Sequence, residues 1–139
     1  MGPILNEQIC YTLYSTSGLV TQAYRPLLKA LKLTYPQFVV MMALWQKDKV
    51  SVTVLAEEIG LSKATMTPLL KRLENLGYIT RDFVPEDERQ KCITLTADGA
   101  ALAPSAEEVA KHALCATGLS ADEVKQLMFL CQKVKSNLS

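Results

Sequence analysis

Apolar and polar positions follow helical spacing over most of the chain, with one short stretch that alternates instead. Residues 4–31 place Ile9, Leu13, Val20, Leu27, Leu28 and Leu31 among the apolar positions of one long helix, weakened in its middle by Gly18 and the run Ser15-Thr16-Ser17. Leu33-Thr34-Tyr35-Pro36 then punctuates the chain. Thr34 can cap a helix, and Pro36 fits only a first helical turn. The helix that follows, to about Trp45, is apolar nearly all round (Phe38, Val39, Val40, Met41, Met42, Leu44), which predicts burial on most sides. The charged turn 46–49 ends it.

Ser51 opens a short helix, Val52 to Ile59, and Gly60 closes it. Ser62 caps the next, Lys63 to about Leu76, which Gly77 ends. Residues 78–83 and 91–96 alternate as two strands around the polar tip 85–90. Thr96 caps a helix from Ala97 to Cys115, bent or interrupted near Pro104. Ser120, with Glu123 at capping-box spacing, starts the last helix, Ala121 to about Asn137. The fold class expected is mainly α with a small β-hairpin.

Two short helices joined by a tight glycine turn and followed by a hairpin make a winged helix-turn-helix. Ala56 is small enough for the helices to cross, and Gly60 permits the turn. Leu69, Leu70, Leu73 and Leu76 form a stripe of the second helix that can face the core. Lys63, Thr65, Thr67, Lys71 and Arg72 are left to face DNA, with Ala64 and Pro68 in the same segment. Such a helix offers its N-terminal residues to the major groove. At the hairpin tip, Arg89 can enter a minor groove and Asp87 can hold it or brace the hairpin. A charge run alone usually marks a solvated face; the whole helix-turn-helix-wing order is much rarer and favours DNA binding.

Composition changes this picture in two ways. Net charge is only +1, yet residues 62–72 hold three cations and no anion, so phosphate attraction is local rather than global. The 139 residues fit one domain. No apolar run approaches the ~18 residues of a membrane span, and the N-terminus lacks the features of a secretory leader, so a cytoplasmic protein is expected. The four cysteines (Cys10, Cys92, Cys115, Cys131) contain no CxxC pair, and a reducing compartment argues against a disulfide framework.

The question is then whether any thiol reacts. Tyr14 lies one turn from Cys10. Tyr24 is on roughly the same face but fourteen residues on, about 21 Å along one helix. It cannot reach Cys10 within one straight helix but could do so from the antiparallel first helix of a partner subunit, where Tyr35 could converge too. Phenols donating to a thiolate would favour its reaction with an electrophile. The residues alone also admit the simpler alternative, a small apolar cysteine beside interface tyrosines. Cys92, mid-strand, and Cys131, beside Leu127 and Leu130, read as packing.

Cys10-Tyr11-Thr12-Leu13-Tyr14, Tyr24-Arg25-Pro26-Leu27-Leu28, Leu33 to Phe38, Thr67 to Glu74, and Asp87-Glu88-Arg89 followed by Leu95-Thr96 together resemble MarR-family repressors of the organic-hydroperoxide-sensing (OhrR) type. The resemblance spans nearly the whole chain. It implies a MarR-like homodimer on double-stranded operator DNA, with dimerisation helices in 1–33 and 97–139 and a winged helix-turn-helix in 51–96 of a single 1–139 domain. It also implies that Cys10 is the cysteine oxidised by an organic hydroperoxide, with Tyr24 and Tyr35 as its hydrogen-bonding phenols. Two-cysteine members complete the switch with a resolving cysteine of the other subunit. Cys115 matches that position in the chain, and Cys131 is its rival. The sequence departs from the family at Ser62-Lys63-Ala64-Thr65, where related sensors often carry Asp-Ser-Gly-Thr, so base preferences are expected to differ.

Other classes fit less well. A related repressor with incidental cysteines would take a small aromatic ligand at the dimer interface. A thiol peroxidase would need a recycling route that no motif supplies, so an enzyme is not expected. His112 and Cys115 are three apart on a helix, but no zinc-ligand spacing accompanies them, and no metal or cofactor is expected.

Overall fold

The computed structural model describes the backbone of residues 1–84 and 87–139, and the side chains of all but 84–90. A 3₁₀ turn, Leu5–Glu7, precedes α1 (Ile9–Leu28), and a second, Lys29–Leu31, follows it. The single helix expected over 4–31 is therefore shorter at both ends. Gln8 is extended at one end, and Lys32, in the left-handed region at φ 58°, closes the other. Its polar middle does not break. The hydroxyls of Thr12, Ser15 and Thr21 donate to carbonyls three or four residues back, which satisfies them within the helix.

Thr34 caps α2 (Tyr35–Gln46) in a full capping box: Gln37 N donates to Thr34 Oγ1, and the Gln37 side chain accepts from Thr34 N at 2.9 Å. Gln37 is thereby satisfied although buried. Phe38, Val40, Met41 and Leu44 are buried beside it, as an all-apolar helix requires. A two-residue strand, β1 (Val50–Ser51), leads into α3 (Val52–Ile59), then α4 (Lys63–Asn75), β2 (Ile79–Val84), β3 (Asp87–Leu95), α5 (Ala97–Ala101), α6 (Ala103–Ala116) and α7 (Ala121–Leu138). The break expected near Pro104 falls at Leu102.

The sheet is antiparallel, in the order β1-β3-β2. The hairpin was expected to have two strands. The third was illegible because two residues carry no alternation; pairing of Val50 with Ile93 and Ser51 with Cys92 creates it. β3 also begins at Asp87, inside the segment expected to be a polar tip.

One junction ties the layers together. Gly99, buried on α5, lies so close to the Tyr78 carbonyl that a β-carbon would overlap it. The Gly99 carbonyl accepts from Trp45 Nε1 at 3.0 Å. Thr96 Oγ1 donates to the Gly77 carbonyl and accepts from Gly99 N, while Thr96 N donates to the Tyr78 carbonyl. The Tyr78 hydroxyl donates to the Leu31 carbonyl at 2.8 Å. Wing root, α5, α2 and the end of α1 thus meet within a few residues. Gly99→Ala is expected to cost about 1–3 kcal/mol by overpacking. Urea unfolding that shows wild-type stability for this variant would contradict the close approach.

Candidate functional site

The turn between α3 and α4 is built as its glycine demands. Gly60 sits at φ 85°, its N–H bonded to Ala56 O at 2.8 Å, and Ser62 Oγ then accepts from Thr65 N at 3.1 Å to start α4. Met66, Leu70 and Leu73, spaced i, i+4, i+7, turn inward and are buried. Leu76 was expected in this stripe, but the helix ends at Asn75 and Leu76 is 37% exposed as its C-cap. Met66 occupies the inward position one turn earlier, which the leucine pattern concealed.

Lys63, Ala64, Thr65, Thr67, Pro68, Lys71 and Arg72 are all exposed on the opposite side. Pro68 lies inside the helix and has no N–H, so the Ala64 carbonyl one turn back lacks its helical donor. That leaves a free acceptor beside Lys63 and Thr65. Thr67 Oγ1 donates to Lys63 O at 3.0 Å, and the Thr65 hydroxyl lies 2.9 Å from Ser62 Oγ. The surface combines cations, hydroxyls and one bare carbonyl, a donor and acceptor set suited to phosphates and base edges.

The wing is pinned to this helix by an ion pair between Arg81 and Glu74 at 3.0 Å. The Arg81 hydrogen bond, opposed by some desolvation, holds the Glu74 carboxyl below its ordinary range. Further out, Lys91 Nζ lies 5.2 Å from the Phe83 ring centroid, and Phe83 is exposed. Neither residue was singled out from sequence, although Ile79, Arg81 and Phe83 alternate on one strand face. The expected tip contacts, Asp87 and Arg89, have side chains outside the described residues.

The thiols lie apart. Cys10, the second residue of α1, and Cys115, the last but one of α6, are both exposed; Cys92 and Cys131 are half-buried. Tyr24 and Tyr35 do come together, their ring centroids 5.2 Å apart, and Phe38 lies 5.6 Å from Tyr24. The capping box at Thr34 positions Tyr35 as the first residue of α2, facing α1. A cavity of about 310 Å³ beside Tyr35 is lined by Arg25 and Thr34 among others. Cys10 is on the same helix as Tyr24, about 21 Å away. A single chain therefore separates its own thiol from its own phenols.

Cys115 borders a groove of about 570 Å³ with Leu114, Leu119 and Val124, flanked by Lys111 and Lys125. Large apolar side chains nearby are uncovered. Ile9, Leu13, Tyr14 and Leu19 on α1 are exposed, as are Leu127, Met128, Phe129 and Leu130 on α7, which buries no residue. Two helices with bare apolar faces mark an interaction surface. Among the described residues, no cluster of three or more His, Cys, Asp or Glu forms around His112 or elsewhere. No single helix among them is long and apolar enough to cross a membrane.

Comparison with known proteins places these features. Residues 33–91 match the model of the MarR family. An organic hydroperoxide resistance transcriptional regulator of Bacillus subtilis is 40% identical over 123 residues, 88% of this chain and 84% of that protein. The DNA-bound structure of reduced AbfR, a protein of Staphylococcus epidermidis, superposes with a TM-score of 0.83 at 29% identity, covering 96% of this chain and 92% of that one. The disulfide form of AbfR gives 0.69 at 30% identity, covering 96% and 89%. The fold thus superposes more closely on the DNA-bound, reduced form of AbfR than on its disulfide form.

Burial, and then the neighbouring Tyr35, push the Tyr24 phenol above its ordinary value of 10.0. It remains a hydrogen-bond donor throughout the neutral range. The unfolded chain releases this proton first. Its contribution to stability therefore holds below pH of about 10 and falls as pH rises through the higher folded value. Ultraviolet titration of the tyrosines should contain one late-ionising phenol that Tyr24→Phe removes. An alkaline limb unchanged by that substitution would contradict the packing.

Proposed function

Because the chain belongs to the MarR family of DNA-binding transcriptional regulators, we propose that it is a homodimeric repressor that releases operator DNA when an organic hydroperoxide oxidises Cys10. The relatives are regulators rather than enzymes, and the thiol chemistry is stoichiometric signalling. The observation that carries the reading is the 40% identity to the hydroperoxide-resistance regulator over 88% of this chain. The geometry supports it from a second side. Paired phenols about 21 Å from their own thiol, on a helix with an uncovered apolar face, suit a site completed by the antiparallel α1 of a second copy.

In the proposed reaction the Cys10 thiolate attacks the outer peroxide oxygen. The O–O bond breaks, the alcohol leaves with a proton, and Cys10 becomes a sulfenic acid. Tyr24 and Tyr35 of the facing subunit hold the thiolate by donating to it. The thiol of Cys115 in the partner subunit then attacks the sulfenic sulfur; a disulfide forms and water departs. A disulfide needs the two Cα atoms within about 7 Å, so α1 of one subunit and α6 of the other must shift if the reduced thiols start farther apart. That shift alters the spacing of the two recognition helices and lowers affinity for DNA.

Cumene hydroperoxide should weaken duplex binding and produce a covalent dimer on a non-reducing gel. Cys10→Ser should stay bound under oxidant; normal release by this variant would exclude Cys10 as the sensor. Cys115→Ser should stop at the sulfenic acid and form no covalent dimer. Loss of that dimer in Cys131→Ser but not in Cys115→Ser would reassign the resolving thiol. Peptide mass spectrometry after equimolar hydroperoxide identifies both sulfurs directly.

A further inference from the structure

On the wing, Ile79–Leu95, Arg81–Ile93 and Phe83–Lys91 are successive cross-strand pairs on one face of the hairpin. The face begins in the core, where Ile79 and Ile93 are buried. Its middle carries Arg81, locked to Glu74 of α4 at 3.0 Å. Two residues further out, about 7 Å along the strand, Phe83 is 59% exposed with the Lys91 ammonium 5.2 Å from its ring centroid. Lys91 shares this face with Arg81, which pairs with Glu74, so Lys91 stands on the α4 side of the wing. Lys71 and Arg72 are exposed on α4 within one turn of Glu74. Exposed cations on α4 and a cation on the wing thus belong to two elements that the Arg81–Glu74 ion pair ties together. Nothing in the core accounts for an aromatic ring left open to water beside it.

We infer that Phe83 and Lys91 form a DNA-backbone contact, in which Lys91 binds a phosphate of the strand between the major and minor grooves and Phe83 packs on the adjoining deoxyribose. The inference rests on the regulator reading and adds to it a site on the strands of the wing, away from both the recognition helix and the hairpin tip. A recognition helix in the major groove and a hairpin beside it straddle one phosphate strand, and the Arg81–Glu74 ion pair holds helix and hairpin together for that strand. The ring and the ammonium hold one another before DNA arrives, so little is left to order on binding.

Binding of a fluorescein-labelled, random-sequence DNA duplex to the full-length protein under reducing conditions, followed by anisotropy over a range of salt, tests the site. Lys91→Met should reduce the slope of log affinity against log salt by about 0.9 for each Lys91 engaged. Lys91→Arg should restore it. Phe83→Ala should weaken binding roughly five- to thirtyfold with the slope unchanged, because it removes contact area and no charge. Phe83→Leu should fall between, and thermal melting confirms that each variant is folded. Lys133→Met, on α7, should match wild type. A wild-type slope in Lys91→Met, or wild-type affinity in Phe83→Ala, overturns the inference. If Arg72→Met lowers the slope while Lys91→Met does not, only this contact fails. A wild-type protein without salt-dependent duplex affinity overturns this contact and the regulator reading together.

Discussion

The fold depends on a contact that tolerates no side chain. Gly99 approaches the Tyr78 carbonyl too closely for any residue with a β-carbon. Around this point Trp45, Thr96 and Tyr78 form their long-range hydrogen bonds, to carbonyls on α5, at the wing root and in the 3₁₀ turn after α1. Each of these donors is partly buried or packed against core, where an unmade hydrogen bond costs about 1–3 kcal/mol. The wing is therefore a fixed extension of the helical body. Its position reports directly on how α1, α2 and α5 are arranged.

That connection matters for the proposed switch because Cys10, Cys115 and the candidate DNA-reading helix lie on different elements of one chain. The Tyr24–Tyr35 pair sits where α1 meets α2, and the connecting segment contains the Leu31 carbonyl that accepts from Tyr78. Rearrangement at the phenols has a short covalent and hydrogen-bonded route to the wing root. Cys10 and Cys115 lie on the exposed parts of α1 and α6, outside this framework. In the proposed switch the rigid half holds the phenols and the candidate DNA-facing surface, and the uncovered half holds Cys10 and Cys115. The proposed switch needs that division, since covalent chemistry would have to move one part against another that stays intact.

The sequence made most of this legible, because the starts of α2, α3, α4, α5 and α7 are written in their capping residues. Thr34, Ser51, Ser62, Thr96 and Ser120 all accept the backbone hydrogen bond expected of an N-cap. The exposed residues of α4 followed from its leucines, although Met66 replaced Leu76 because a helix end, unlike a helix face, is set by its capping geometry. β1 escaped notice because pairing across the sheet creates it, and local pattern does not. The proximity of Tyr24 and Tyr35 depends on the bend between α1 and α2, which no spacing rule encodes. The Phe83–Lys91 pair depends on strand register. In each of these cases the missing information was long-range.

Ser51 holds two posts at once. It pairs with Cys92 as the second residue of β1, and its hydroxyl accepts from Val54 N to begin α3. A residue inserted here would shift the strand pairing by one and remove the cap in the same step, whereas extra residues at the far end of the hairpin would disturb neither. Length variation in this architecture is therefore permitted at the tip of the wing and forbidden at its root. The reach of the wing along DNA can drift through evolution while the angle between wing and helices stays inherited.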